Sequence, residues 1–546
     1  MPGRCPSNLV ISRRVLNTTA GWRARTDLSS RPLPRFFVHQ AECDGCTSAN
    51  VRQALREKIG DGALEESIEF TYAQHLADMP LMEALLKHAR RTYDEARAEW
   101  HILDATPFTS YIVGSVGLLG GTAEHYRRME RLARSLSTNR AWNSAAPFLV
   151  LQPFYIMERV LGRELGKAIL LRKARTIVAT SDRSAKHLRG NEGYAEVFLQ
   201  ALEVPYLASP ELAAWARACA PVPDERRRGE ARLQLQRERG PAAASAAGST
   251  TKRPVAPRLL ASCDMRDRDR QAAASVSQHR HGFMFHGDMG RFDYGARASV
   301  RDIAPHLSAP TSFSDARLTR DSRVPQLEQL GRESSSNTTR GQYDWYRTKS
   351  KASSKVTLAS SMCFAPQGDT MTSRRLFDSL AGGCVPVIVK NVGTSRTELA
   401  LGNLPFHHSI NWQSIALFLL PRGAVLSDRE QPVSSGPKVQ CRVEEAEWLS
   451  ARHNDTRLLS RMRRDAILAF LAHLDVWGRP TGVADALLRE MAYIEPPRRD
   501  LLTFGQPFKK LRDGYALNAH LPPAHLLREP QAEMQELALR SDAGMV

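Results

Sequence analysis

The sequence predicts an α/β protein built on parallel sheets, because short apolar runs alternate with stretches of helical periodicity. Residues 356–391 form the clearest unit, which we interpret as strand, loop, helix, tight turn and strand. Its last strand, Val385–Val389, is wholly apolar, as is typical of a strand buried on both faces. Residues 72–104 predict a second unit of helix, turn and buried strand. Since the chain has 546 residues, we expect two such domains.

Each element of the 356–391 unit follows from its residues. Met362–Ala365 predicts a short apolar strand that Pro366 ends. Three hydroxyl side chains are candidate caps for the next helix: Thr370, Thr372 and Ser373. Four apolar side chains recur at helical spacing and form its buried face: Leu376, Phe377, Leu380 and Ala381. Gly382 and Gly383 suit the left-handed backbone that commonly ends a helix.

The loop and the helix start of this unit carry candidate chemistry. A helix start after a glycine-containing loop is an anion site, because its first amide hydrogens have no partner within the helix. Here Gly368 and Ser373 are followed by Arg374 and Arg375, whose charges oppose the helix dipole unless an anion is bound. A diphosphate is such an anion, and Asp378 lies one turn later, where it can bind a ribose. The alternative is an ordinary β-α-β unit with an Arg374–Asp378 surface pair.

The same residues resemble a known family. The pattern from Phe364 to Ile388, F-x-P-x-G-D-x3-S-R-R-L-F-D-S-L-x2-G-C-V-P-V-I, is similar to the C-terminal signature of the exostosin family, glycosyltransferase family 47. Leu404–Phe406 followed by Ile410–Trp412 resembles that family's Leu-Pro-Phe and Ile-Asp-Trp segment. The resemblance implies a GT-B fold, in which two Rossmann-like domains face a central cleft. It also implies inverting transfer of a hexose or pentose from a nucleotide sugar, with a UDP sugar as donor, no permanently bound cofactor and no metal.

The resemblance extends to both sides of this segment. Gly282–Gly287 is similar to the strand that opens the family's C-terminal domain, and Gly287 ends it in a glycine loop. Arg301 falls where the family begins its next helix with an arginine, so it is a candidate phosphate ligand; a surface arginine is the alternative. The general base is expected from the N-terminal domain, after the strand Arg35–His39, where α/β sheets place ligands. Three side chains there are candidates: His39, Glu42 and Asp44.

The donor-site residues then have the following expected roles. Arg375 neutralises the charge that develops on the diphosphate, and Arg374 and Arg301 help. Asp378 binds the ribose. Backbone or hydroxyl contacts come from three further residues: Gly287, Gly368 and Ser373.

Composition, pattern and the family resemblance divide the chain into five expected segments, and the resemblance implies the acceptor and donor roles of the two domains. These are an irregular leader (1–33), an N-terminal acceptor-side domain (34–220), a disordered basic insertion (221–278), a C-terminal nucleotide-sugar-binding domain (279–496) and a tail (497–546). The insertion is predicted from its low aromatic content and its many small and charged residues.

The charge and cysteine content bear on partners. The formal net charge is +18, which suits acidic partners such as an anionic polysaccharide, nucleic acid or a membrane surface; compositional bias, with arginine abundant throughout the chain, is the preferred alternative. No nucleic-acid-binding signature accompanies the charge, so no nucleic acid is expected. Cys43 and Cys46 form one C-x-x-C, interpreted as a local disulfide, a redox pair or, by preference, neither. Cys363 and Cys384 are interpreted as small buried apolar groups.

Targeting signals depart from the family pattern, whose members usually carry an N-terminal Golgi signal anchor. Asn8–Ile11 is too short for the apolar core of a signal peptide. Either the sequence lacks its start or the protein is targeted differently; the resemblance itself implies the Golgi or the secretory lumen.

We therefore expect an inverting glycosyltransferase that acts on a glycan or glycoprotein acceptor, as in polysaccharide biosynthesis or protein glycosylation. An inactive homologue that binds sugar, or that partners a homologous transferase, is the alternative. It is motivated by the absent anchor and by the segment after Ser144, where the family usually has Gly-Arg-Asp-His before a strand and this chain has Ala145-Ala146-Pro147. A different nucleotide-dependent Rossmann enzyme is disfavoured, because no Gly-x-Gly-x-x-Gly or P-loop pattern occurs.

Overall fold

The structure is a computed structural model. It describes residues 32–41, 43, 45–59, 76–115, 120–144, 146–154, 157–172, 175–181, 201–219, 281–287, 295–315, 353–366, 373–389, 404–406, 408–419 and 436–493. The expected insertion (221–278) and tail (497–546) lie outside the described residues, as does the leader except for its last two residues. The segment boundaries therefore stay predictions.

Among the described residues, the first sheet has five strands that lie side by side in chain order, and every neighbouring pair is parallel. The strands are β1 (Phe36–His39), β2 (Trp100–Leu103), β3 (Phe148–Leu151), β4 (Thr176–Thr180) and β5 (Leu202–Glu203). Every side chain of β2, β3 and β4 is buried, which explains why these strands are continuous apolar runs rather than alternating ones.

Helices accompany this sheet between and after its strands. They are α1 (Ser48–Ile59), α2 (Asp78–Leu86), α3 (Pro107–Ser115), α4 (Gly121–Thr138), α5 (Arg140–Asn143), α6 (Met157–Leu171) and α7 (Pro210–Cys219). A short 3-10 turn, Glu95–Arg97, precedes β2. One face of the sheet packs on α4, α5 and α6 through a cluster that includes Phe148, Val150 and Leu132.

In the part of the chain that the structure describes, the second sheet also has five parallel strands, but their order reverses once. The strands are β6 (His281–Gly287), β7 (Thr311–Asp315), β8 (Ser360–Pro366), β9 (Val385–Val389) and β10 (Leu417–Leu419). Their spatial order is β7-β6-β8-β9-β10. The chain therefore adds β7 on one side of β6 and all later strands on the other.

The helices around the second sheet are α8 (Gly295–Ile303), α9 (Arg374–Ala381), α10 (Trp412–Ile415), α11 (Gly436–Asn454), α12 (Thr456–Ala469) and α13 (Pro480–Tyr493). Residues 353–359 are also helical. Gly383, with φ of +61°, has the left-handed conformation that was predicted for the end of α9. The α/β class and the strand-helix-strand reading of residues 360–389 are confirmed.

The two sheets share one hydrophobic cluster. It joins the face of the first sheet that carries Ile102 and Leu149 to α9, through Phe377, and to α13, through Leu487. Two polar contacts follow the same path. His88, after α2, lies 2.9 Å from the Asp485 carboxylate in α13, and Arg217 in α7 donates to Asp475 at 2.9 Å.

Two disulfides correct the interpretation of the cysteines. Cys43 is bonded to Cys46, and Cys363 in β8 is bonded to Cys384, just before β9. The second pair forms because Cys363 is aligned with Pro386 in the neighbouring strand, which brings the two sulfurs together. Neither Cys363 nor Cys384 is therefore merely a small apolar group.

Within the described ranges, no helix combines the length and the apolar character that crossing a bilayer requires.

Candidate functional site

The strand order of the second sheet locates a ligand site. In open parallel sheets, ligands bind beyond the carboxyl ends of the strands, at the point where the strand order reverses. Here that point lies between β6 and β8, whose residues Phe283 and Met362 are aligned neighbours. The carboxyl ends of these strands are Gly287 and Pro366, and the chain that follows β8 leads to the start of α9.

The start of α9 is suited to an anion. Ser373 precedes the helix with extended backbone (φ −143°, ψ 158°), and its hydroxyl makes no capping hydrogen bond. The first turn contains no acidic side chain. The partial positive charge of the helix start is therefore reinforced by Arg374 and Arg375 instead of being offset, and a bound anion would stabilise all three.

The side chain of Arg375 extends to the reversal point itself. Its guanidinium carbon lies 5.4 Å from the centre of the Phe285 ring. Phe285 is fully buried in β6, two residues before Gly287. The helix start thus places a fixed positive charge beside the carboxyl end of β6.

Asp378, the expected ribose ligand, makes contacts within the protein. Its Oδ1 accepts a hydrogen bond from the backbone N–H of Ser209 at 2.6 Å, and its Oδ2 lies 3.4 Å from Nε of Arg374. Burial raises the pKa of the Asp378 carboxyl, while the charge of Arg374 opposes that shift. The Arg374–Asp378 pair is thus present. The hydrogen bond from Ser209 to Asp378 also connects α9 to the chain after β5. A ribose contact by Asp378 stays a prediction, and it requires that these partners be shared.

Arg301 does not begin a helix, so that expectation is wrong. It lies in the last turn of α8, where Nε and Nη2 bond to Asp302 at 3.1 and 3.0 Å, and its side chain is about half exposed. A helix that follows a parallel strand runs back along the sheet, so its last turn lies away from Gly287. The surface-arginine alternative describes this position.

Arg297, which the sequence reasoning missed, lies in the first turn of α8 and is buried. It is therefore at the end of the helix nearer to the carboxyl end of β6. Arg297 lies four residues before Arg301 and therefore on the same face of the helix. This spacing is the sequence signal that could have identified Arg297. Gly368 lies outside the described residues.

Of the general-base candidates, Glu42 and Asp44 lie outside the described residues. His39 ends β1, as expected, but its ring is only 4% exposed. Its Nε2 lies 2.6 Å from Nδ1 of His101 in β2. Burial, followed by the neighbouring His101, lowers the pKa of His39 to about 4, so its imidazole is neutral at pH 7.

Comparison with known proteins gives one family. Residues 311–425 match the family model described as the Exostosin GT47 domain. That range runs from β7 to β10 and includes α9 with the loop before it. A search of curated proteins found no match to the chain. The exostosin resemblance is confirmed over these residues, and the match supports a glycosyltransferase function.

Proposed function

We propose that this protein transfers a sugar from a nucleotide sugar, preferably a UDP sugar, to a hydroxyl group of a glycan or glycoprotein, with inversion at the anomeric carbon. The observation that carries the proposal is the position of Arg375. It belongs to the start of α9 and lies over Phe285, where the strand order of the second sheet reverses. A diphosphate bound there would meet the helix start and the arginine together.

A GT-B arrangement is consistent with the two five-stranded parallel sheets. In that arrangement the second sheet binds the donor and the first sheet contributes the acceptor side. We further propose that the transferred sugar is a hexose or a pentose. The net charge of +18 favours an acceptor that carries negative charge.

The proposed reaction is a single displacement. An acceptor hydroxyl oxygen bonds to the anomeric carbon while the bond from that carbon to the diphosphate breaks, and the hydroxyl proton passes to a general base. Arg375, with Arg374 and the buried Arg297, stabilises the charge that develops on the diphosphate without a metal at this site. Arg297 replaces Arg301 in this role because it lies in the first turn of α8. Glu42 and Asp44 stay the predicted bases, since His39 is turned to His101.

Calorimetric titration of the full chain with UDP tests the donor site. We expect UDP to bind and Arg375→Ala to weaken binding at least tenfold, which corresponds to about 1.4 kcal/mol. Arg301→Ala is the matched control and should bind UDP like the unchanged protein, because Arg301 is exposed and paired with Asp302. Equal UDP affinity in all three proteins, or no nucleotide binding by folded protein, would contradict the proposal.

Turnover separates an active transferase from an inactive homologue. An active enzyme should release UDP from a UDP sugar faster when a suitable acceptor is added. Binding of UDP without hydrolysis or transfer would favour the sugar-binding or partner-subunit alternative. A secretory location is also proposed: the Cys43–Cys46 and Cys363–Cys384 disulfides are typical of an oxidising compartment.

A further inference from the structure

Two buried histidines meet on one face of the first sheet, away from the donor site. His39 is aligned with Leu103, and His101 with Phe37, so the histidines are diagonal neighbours on the same face. Both residues are 4% exposed. The Nε2 of His39 and the Nδ1 of His101 are 2.6 Å apart, closer than a typical hydrogen bond between neutral nitrogen groups.

A carboxylate completes this cluster. Glu95 opens the 3-10 turn before β2, and its carboxylate lies with one nitrogen of each histidine in a group whose ligand atoms are all within 4.8 Å of one another. Glu95 is exposed, so the cluster has a route to solvent on that side. Two imidazoles and one carboxylate are the ligand set of many zinc sites that keep a fourth position for water.

The two histidines lie in an aromatic environment. Aromatic rings pack on the pair: Phe37 lies 4.7 Å from His39 and Phe148 lies 5.1 Å from His101, measured between ring centres. The amide nitrogen of Asn139 lies 3.4 Å from Nδ1 of His39 and can only donate, so ligation of a metal through Nε2 would displace this contact.

One charge opposes a cation here. Arg172 is close to His101, and its guanidinium lies over the Phe148 ring. That guanidinium is anchored elsewhere, because Nη2 donates to the carbonyl oxygens of Ser144 and Ala146. The carboxylate of Glu95 supplies the negative charge that offsets it.

We propose that His39, His101 and Glu95 form a binding site for a divalent transition-metal ion of the zinc type. A tetrahedral zinc ion holds two nitrogen ligands about 3.3 Å apart, so the imidazoles need to separate by roughly 0.7 Å. The ion would link β1, β2 and the turn between them, at the edge of the first sheet. It is separate from the donor site, which belongs to the second sheet, and its test does not depend on transferase activity.

This site is tested by isothermal titration calorimetry, in which zinc chloride is added to the full chain after treatment with a chelator. One zinc ion per chain is expected, and cobalt(II) in its place should give the visible absorption of a tetrahedral nitrogen–oxygen site. Glu95→Gln should weaken zinc binding at least tenfold; its exposed position makes misfolding a minor concern. His101→Asn, checked for folding by circular dichroism, should abolish the cobalt absorption.

Glu99→Gln is the matched control. Glu99 is an exposed glutamate four residues further on, paired with Arg35 rather than with the histidines, and its substitution should leave zinc binding unchanged. No zinc binding by the unchanged protein would overturn the proposal. Equal zinc affinity in Glu95→Gln would do so as well, since the ion would then be held elsewhere.

Discussion

His125 in α4 is fully buried and joins three helices through its two ring nitrogens. Its Nε2 lies 2.8 Å from the carbonyl oxygen of Val160 in α6, and its Nδ1 lies 3.1 Å from Oγ of Ser110 in α3. Since the carbonyl can only accept, Nε2 carries the hydrogen and Nδ1 accepts from the Ser110 hydroxyl. Burial lowers the pKa of His125 to about 4; nearby Arg128 adds to the shift, while the bond to Val160 opposes it.

This pKa predicts a loss of stability in acid. The folded-state pKa of about 4 lies below the ordinary value of 6.5, so the unfolded chain takes up the proton first. The contribution of His125 to the free energy of unfolding is therefore fully present above pH 6.5. As the pH falls through about 4, up to about 3 kcal/mol of this free energy is lost. His125→Gln keeps an N–H donor for Val160 and should flatten this part of the pH dependence, as measured by urea unfolding between pH 4 and 7.5.

Comparing the unchanged protein with His125→Gln separates the titration of His125 from that of other groups. Burial raises the pKa of Asp78 to about 6, so Asp78 acts in the opposite direction as the pH falls. Asp78 titrates in the same way in the unchanged protein and in His125→Gln, so its effect cancels when their pH dependences are subtracted. Identical pH slopes for the unchanged protein and His125→Gln would contradict the prediction.

Individual site residues were predictable from the sequence only where their setting is local. Ser373 and Arg375 were identified correctly as a helix start, because capping residues and apolar spacing are encoded within a few positions. Arg301 was misplaced, since the start of α8 was set by family position and not by a capping signal. The contact of His39 with His101 depends on the alignment of β1 with β2, and no pattern along the chain reveals it.

At the scale of elements, the β8-α9-β9 unit is closed by a covalent bond. The Cys363–Cys384 disulfide spans 21 positions, and the chain between its ends includes Ser373, Arg375 and Asp378. Both cysteines are buried. The sequence predicted both strands of this unit, but the pairing needs the strands to be adjacent and in register, which composition does not encode.

Removing this bond should destabilise the protein. The double variant Cys363→Ser/Cys384→Ser is expected to lower the free energy of unfolding by about 2–4 kcal/mol, because the unfolded chain gains the freedom that the closed loop denies it. Urea unfolding of oxidised protein measures the loss. The matched control, Cys43→Ser/Cys46→Ser, opens a disulfide with a separation of only 3 and should cost less. A larger loss in the control would contradict this account.

At the scale of the whole molecule, the cluster shared by the two sheets makes them depend on each other. Leu487 in α13 is fully buried in that cluster, together with Leu149 of the first sheet and Phe377 of α9. Leu449 in α11 is equally buried but belongs to a separate cluster around Phe283 and Val387 of the second sheet. The sequence predicted two α/β units, yet it gave no sign of this sharing, because apolar spacing shows that a face is buried and not against which partner.

The two leucines therefore predict different patterns of local opening. Leu487→Ala should cost about 2–5 kcal/mol and raise amide hydrogen exchange in both β3 and β9, since the shared cluster supports both sheets. Leu449→Ala removes the same atoms and should raise exchange mainly in β9. Mass spectrometry of peptides that contain residues 148–151 and 385–389 measures both strands in one experiment. If Leu487→Ala altered only one strand, the sheets would open independently, and α13 would then serve a single sheet instead of joining the two.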